Sequence, residues 1–108
     1  MLRIPSDILM YITAEGNYSE AYLQDGTHRL VPFQLGQMVD LLEDQLGEEE
    51  SPFIRIGKSL IVNRNYIFLV DISEQELIIS DWRGKYKSVK ASRKALSMLK
   101  LILENTTT

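Results

Sequence analysis

The sequence predicts a mainly β domain of short antiparallel strands, with one internal helix and one C-terminal helix. Three observations carry this expectation. Turn signals recur roughly every eight to twelve residues, the spacing of a small sandwich or barrel. Asp25-Gly26, between two β-rich runs, is the strongest short hairpin signal in the chain. Only two segments change to a helical period, Gln34 to Leu46 and about Arg93 to Leu103. With 108 residues the chain has the size of one domain, with a core from about residue 7 to residue 103.

The elements follow in order. From Asp7 to Thr13, Ile8, Met10 and Ile12 share one face, and Leu9, Tyr11 and Thr13 the other. Both faces are apolar, which predicts a strand covered on two sides. Glu15-Gly16-Asn17 is a turn, since Gly and Asn tolerate positive φ. Tyr18–Leu23 and Thr27–Val31 form the hairpin around Asp25-Gly26, and Pro32 ends the sheet pattern. In the first helix Leu35, Met38, Val39, Leu42 and Leu46 make the buried stripe, and Gly47 is a natural stop. The run from Gly47 to Pro52 reads as a polar loop. Phe53–Ile56 is a short strand, interrupted by Gly57-Lys58-Ser59 before Leu60–Val62. Asn63-Arg64-Asn65 is a turn into a long strand, Tyr66–Ile72. Leu77–Ile79 and Tyr86–Lys90 follow, joined through Trp82-Arg83-Gly84-Lys85. Ser92 is well placed to cap the last helix, whose stripe is Ala95, Leu96, Leu99, Ile102 and Leu103. The tail from Asn105 has nothing to pack against and frays.

The net charge is −3, but it is unevenly spread. Residues 1–51 hold two basic and ten acidic residues, a balance of −8; residues 52–101 hold ten basic and four acidic, a balance of +6; Glu104 supplies the last −1. A basic stripe on an acidic body is an electrostatic footprint that the overall pI hides, although a charge run is also what an ordinary solvated face looks like. No apolar run approaches the roughly 20 residues of a membrane span, and no secretory signal opens the chain. The lack of cysteine excludes disulfides and thiolate metal sites and fits a reducing cytoplasm.

Catalysis finds little support. His28 is the only histidine, which rules out His-pair metal motifs; in the middle of a strand it reads as an edge side chain. No serine, threonine or lysine lies in a nucleophile motif, and no phosphate-cradling glycine loop occurs. Glu48-Glu49-Glu50 lacks a calcium-loop pattern and reads as a solubilising loop. The expectation is a protein without cofactor, metal or enzymatic activity.

Three polar interruptions are more informative. At Glu15-Gly16-Asn17-Tyr18, Asn17 could bond an adenine edge through both amide groups, though backbone demands alone account for a Gly-Asn turn. At Arg55-Ile56-Gly57-Lys58-Ser59 a strand breaks to present Lys58 and Ser59 beside a glycine. Such groups suit phosphate or guanine, and a bulge or connector is an equal account. The third is Lys90-Ala91-Ser92-Arg93-Lys94. Cations at a helix N-terminus are disfavoured by roughly 0.3–1 kcal/mol, yet Arg93 and Lys94 open this helix and Lys87 and Lys90 precede it. A bound phosphate would reverse that penalty, because the helix-end amides and the cations would then act together.

These places occur in an order that resembles the LytTR DNA-binding domain family. The resemblance is carried by Ile12-Thr13-Ala14-Glu15-Gly16-Asn17-Tyr18, by the run Phe53–Asn63, and by Val89-Lys90-Ala91-Ser92-Arg93, and it spans roughly Asp7 to Leu103. It implies an elongated fold of antiparallel β-sheets packed in series, whose loops rather than a recognition helix enter successive grooves. It implies base contacts at Asn17, Lys58 and Arg93. Phosphate contacts fall to Ser59, Lys85, Lys87, Lys90, Ser92 and Lys94, with Arg55 either joining them or sitting within the sheet. The implied partner is double-stranded promoter DNA carrying direct repeats, bound by two copies on one face. An N-terminal receiver domain and a sensor histidine kinase are implied as well. No receiver fold is encoded in these 108 residues, so the resemblance suggests either the C-terminal part of a response regulator or a stand-alone one. The family usually has histidine where this chain has Gly57, so one polar contact is missing there. A β-rich protein-interaction module that captures partners at a strand edge is the alternative expectation. A single-strand binder stacking bases on Tyr18, Tyr22 and Trp82 is another.

Overall fold

The computed structural model describes residues 3–48 and 51–105. The element order is β1 (Leu9–Glu15), β2 (Tyr18–Leu23), β3 (His28–Val31), α1 (Leu35–Leu46), β4 (Phe53–Ile56), β5 (Leu60–Asn63), a single 3-10 turn (Arg64–Tyr66), β6 (Ile67–Asp71), β7 (Glu76–Ser80), β8 (Tyr86–Lys90) and α2 (Arg93–Asn105). The strands form a five-stranded sheet of order β3-β2-β1-β5-β4 and a three-stranded sheet of order β6-β7-β8. Every pairing is antiparallel. The molecule measures 40 × 28 × 27 Å. Neither helix is long and apolar enough to cross a membrane.

The five-stranded sheet is covered on both faces, as the two-sided hydrophobicity of its first strand predicts. One face, with Ile12, Ala21 and Ile61, packs on Leu35, Met38 and Leu42 of α1 and on Ile4. The other, with Tyr11, Leu60 and Val62, packs on Leu77 and Ile79 of the small sheet and on Leu96 and Leu99 of α2. Strand β5 is buried throughout and alternates between these two cores. Strict alternation fails in β1. A register shift between Leu9 and Tyr11 brings Leu9 to the same core as Ile12 and leaves Met10 and Tyr11 packed towards the other. An extra residue in one strand of a pair has this effect.

Asn63 joins the parts. It is 1% exposed, and its amide donates to Leu9 O at 2.9 Å and to Ser6 O at 3.4 Å. Its Oδ1 accepts from Asn65 N at 2.9 Å and so caps the 3-10 turn. Tyr66, expected at the start of a strand, instead closes that turn, buried, with its hydroxyl donating to Asp7 O. Ser92 caps α2 as expected, its Oγ accepting from Ala95 N at 3.1 Å. The helix runs to Asn105, two residues past its expected end; the remaining tail and Glu49-Glu50 lie outside the described residues.

Candidate nucleic-acid interface

Two turns lie side by side at one end of the five-stranded sheet. The β1–β2 turn is tight: Glu15 pairs with Tyr18, and Gly16 supplies the φ of +64° that closes it. Asn17 is exposed at its tip, its Oδ1 accepting from Gln34 Nε2 at 3.3 Å. The β4–β5 turn closes at Gly57, with φ +62°. Arg55 braces it, donating from Nε to Gly57 O at 3.2 Å; Arg55 is therefore exposed on the sheet and turned towards the loop. Lys58 and Ser59 are exposed at the tip. The two turns are fastened together by Ala14 N donating to Ser59 O at 3.0 Å, just beyond the Thr13–Leu60 pair.

The third segment meets the second across an open cleft of about 540 Å³, lined by Ser59, Glu74, Gln75, Lys90, Ala91 and Ser92. Ala91 N donates to Gln75 O at 3.2 Å, which holds the approach to α2 against the β6–β7 turn. Ser59, Lys90 and Ser92 thus share one concavity, with Lys58 beside it and Arg93 and Lys94 exposed in the following helical turn. Arg93 leans towards Ser73 O, with Nη2 at 3.5 Å. Lys90 is engaged by Glu76, Nζ to Oε1 3.1 Å, so part of its charge is already neutralised. Lys58 and Lys94 have no ion-pair partner among the described residues.

Lys85 and Lys87 lie away from this cleft. Lys87 pairs with Ile79 in mid-β8, and Lys85 belongs to the β7–β8 turn at the strand's far end. That turn is organised by Asp81, whose Oδ1 accepts from Arg83 N at 2.7 Å and Lys85 N at 3.0 Å. Those amides hold the carboxyl below its usual range. Asp81 O accepts from Gln24 Nε2 at 2.8 Å, next to the start of β1. The structure therefore gathers Asn17, Lys58, Ser59, Lys90, Ser92, Arg93 and Lys94 at one end and lets Lys87 and Lys85 lead away from it.

Three participants had no signal in the sequence reading. Gln34 steadies Asn17 from the start of α1, and Glu74 and Gln75 line the cleft. Glu74 and Gln75 belong to the β6–β7 turn, which the positive φ of Gln75, +55°, sets apart. The aromatic trio does not assemble. Tyr22 is stacked on Tyr11 with ring centroids 4.4 Å apart, Tyr18 follows the β1–β2 turn, and Trp82 lies at the opposite end, its indole donating to Asn65 O at 2.7 Å. His28 is an edge-strand side chain, paired with Glu20 and lying against Tyr22.

The sequence profile of the LytTr DNA-binding domain matches residues 1–104. Among solved structures, the chain is similar to the LytTr DNA-binding domain of a putative methyl-accepting/DNA response regulator from Bacillus cereus. The TM-score is 0.64 at 22% identity, covering 94% of this chain and 86% of that one. At that identity the likeness is one of fold. No curated protein matches the chain.

Proposed function

The chain belongs to the LytTr DNA-binding domain family, and from that premise we propose that it reads a specific duplex sequence with its turns and serves as the output domain of a two-component response regulator. In this reading Asn17, Lys58 and Arg93 contact base edges. Ser59, Lys90, Ser92 and Lys94 hold phosphates around the cleft, and Lys87 and Lys85 extend the phosphate track along β8. The single observation that supports it most is the fastening of Ser59 to Ala14 together with the shared cleft between Ser59 and Ser92. Through these contacts, segments far apart in sequence face one ligand. Two copies on direct repeats, an N-terminal receiver and an upstream histidine kinase in the cytoplasm complete the proposal.

The test is fluorescence anisotropy with a duplex selected from a random pool against its scrambled counterpart. Specific binding is expected, and Arg93→Ala should cost about 1–3 kcal/mol and relax the preference at one position. Equal affinity for both duplexes removes the specific-reader reading.

One observation favours a second role in protein contact. Phe68, Leu69, Trp82 and Tyr86 are each about half exposed or more, and the Phe68 ring lies 5.0 Å from Tyr86 and 6.3 Å from Trp82. Exposed clusters of this kind mark docking surfaces. A Phe68→Ala variant that keeps DNA affinity but loses a protein partner would assign that role.

A further inference from the structure

On the opposite face of the five-stranded sheet from α2 lies a cleft of about 350 Å³, within the range of small-molecule sites. Its floor is apolar: Leu9 and Met38 are 1% exposed, and Ala21 is 8% exposed. Its rim carries Arg3 and Arg29. These are the only two basic residues among the first 51, a stretch with ten acidic ones. Both come to the mouth of one apolar cleft.

Each is placed there by backbone. Gln45 clamps the N-terminal segment to α1, its Oε1 accepting from Ile4 N at 3.1 Å and its Nε2 donating to Ile4 O at 2.8 Å. Arg29 pairs with Ala21 in the β2–β3 register, so it projects from the α1 side of the sheet. Among the described residues neither guanidinium has an ion-pair partner. Two unpaired forks over an apolar floor match a ligand with an anionic head and an apolar body. We propose that this cleft binds a small amphipathic anion, a carboxylate or phosphate monoester on a short hydrocarbon chain, with its head between Arg3 and Arg29 and its chain along the half-buried Leu23 and Val31, above the covered floor.

The experiment is an amide NMR titration of this chain with octanoate, octyl phosphate and octanol. Shifts are expected at Ile4, Ala21, Leu23 and Val31 with both anions. They should bind at least about tenfold tighter than octanol, since bonds to charged groups outweigh neutral ones. Arg3→Gln and Arg29→Gln should each erase most of that preference while leaving the spectrum folded. Ala21→Leu should block all three ligands. Preference for one anion over the other identifies the head group. No shift at millimolar ligand, equal binding of octanol and octanoate, or shifts confined to the Phe68–Trp82 face would overturn the proposal. So would an Arg29→Gln protein that self-associates but keeps full octanoate affinity; Arg29 would then only guard the edge strand.

Discussion

Replacing Lys94 by glutamine tests the phosphate contacts of the proposed reading. Lys90 lines the cleft and Lys94 is exposed in the helical turn that follows it. If each neutralises one phosphate, the plot of log affinity against log salt has a slope of about −1.8, and Lys85 and Lys87 would steepen it to about −3.6. Lys90 is already bound to Glu76 at 3.1 Å, so the measured value should fall short of the full sum. Lys94 has no such partner among the described residues; its loss should flatten the slope by about 0.9. Lys85→Gln, at the far end of β8, should change it less. The assay is anisotropy of a labelled duplex over roughly 50–300 mM salt, a range in which phosphate contacts dominate the response. A slope shallower than about −1 in a chain that still binds specifically, or one untouched by Lys94→Gln, would refute the arrangement.

Other outcomes follow from the same coordinates. Asn63→Ala removes one buried and one partly buried hydrogen bond, both 2.9 Å, and leaves Leu9 O without its side-chain donor. It should lower stability by about 2–3 kcal/mol, read as a lower urea midpoint at unchanged m-value. Burial, and secondarily the neighbouring Tyr22, push the Tyr11 hydroxyl up to about 12. The folded state then holds its proton longer than the unfolded chain, so stability is full below about pH 10 and falls as pH rises from there through about 12. Melting curves across that window, beside an ultraviolet titration of tyrosine, check it; a melting temperature flat to the upper limit contradicts it. Gly57→His meets no atom within 4 Å of the added Cβ but must adopt φ +62°. It should fold at a cost of about 1 kcal/mol and tighten duplex binding by adding a donor beside Lys58.

Most of the fold was legible because its elements are locally consistent. Asp25-Gly26, the stripe of α1 and the Ser92 cap each specify their own geometry without distant help. The burial of both faces of β1 could also be read, from its lack of a polar side. The bulge at Met10 could not, because a register shift is decided by the partner strand. Tyr66 closes a turn rather than opening a strand for a similar reason: its side chain is held by Asp7 O and the turn itself by the Asn63 cap on Asn65 N, neither of which alters the β-like composition of the run. At the candidate interface, residue type and helix-end electrostatics marked three segments, and the family resemblance singled out Asn17, Lys58 and Arg93 within them. Their adjacency could not be inferred, since it depends on Ala14 meeting Ser59 and Ala91 meeting Gln75. Gln34 and the Arg3–Arg29 cleft were invisible, because each requires two elements brought together by tertiary packing.

The main-chain bond from Ala14 to Ser59 makes no demand on the side chains at the tips beside it. If Asn17 and Lys58 contact bases as proposed, substitutions there alter which sequence is preferred while the separation between the two tips stays constant. On that reading, recognition diversifies one position at a time, with little risk to the scaffold. Swapping tip residues between relatives should transfer preference without re-engineering the frame.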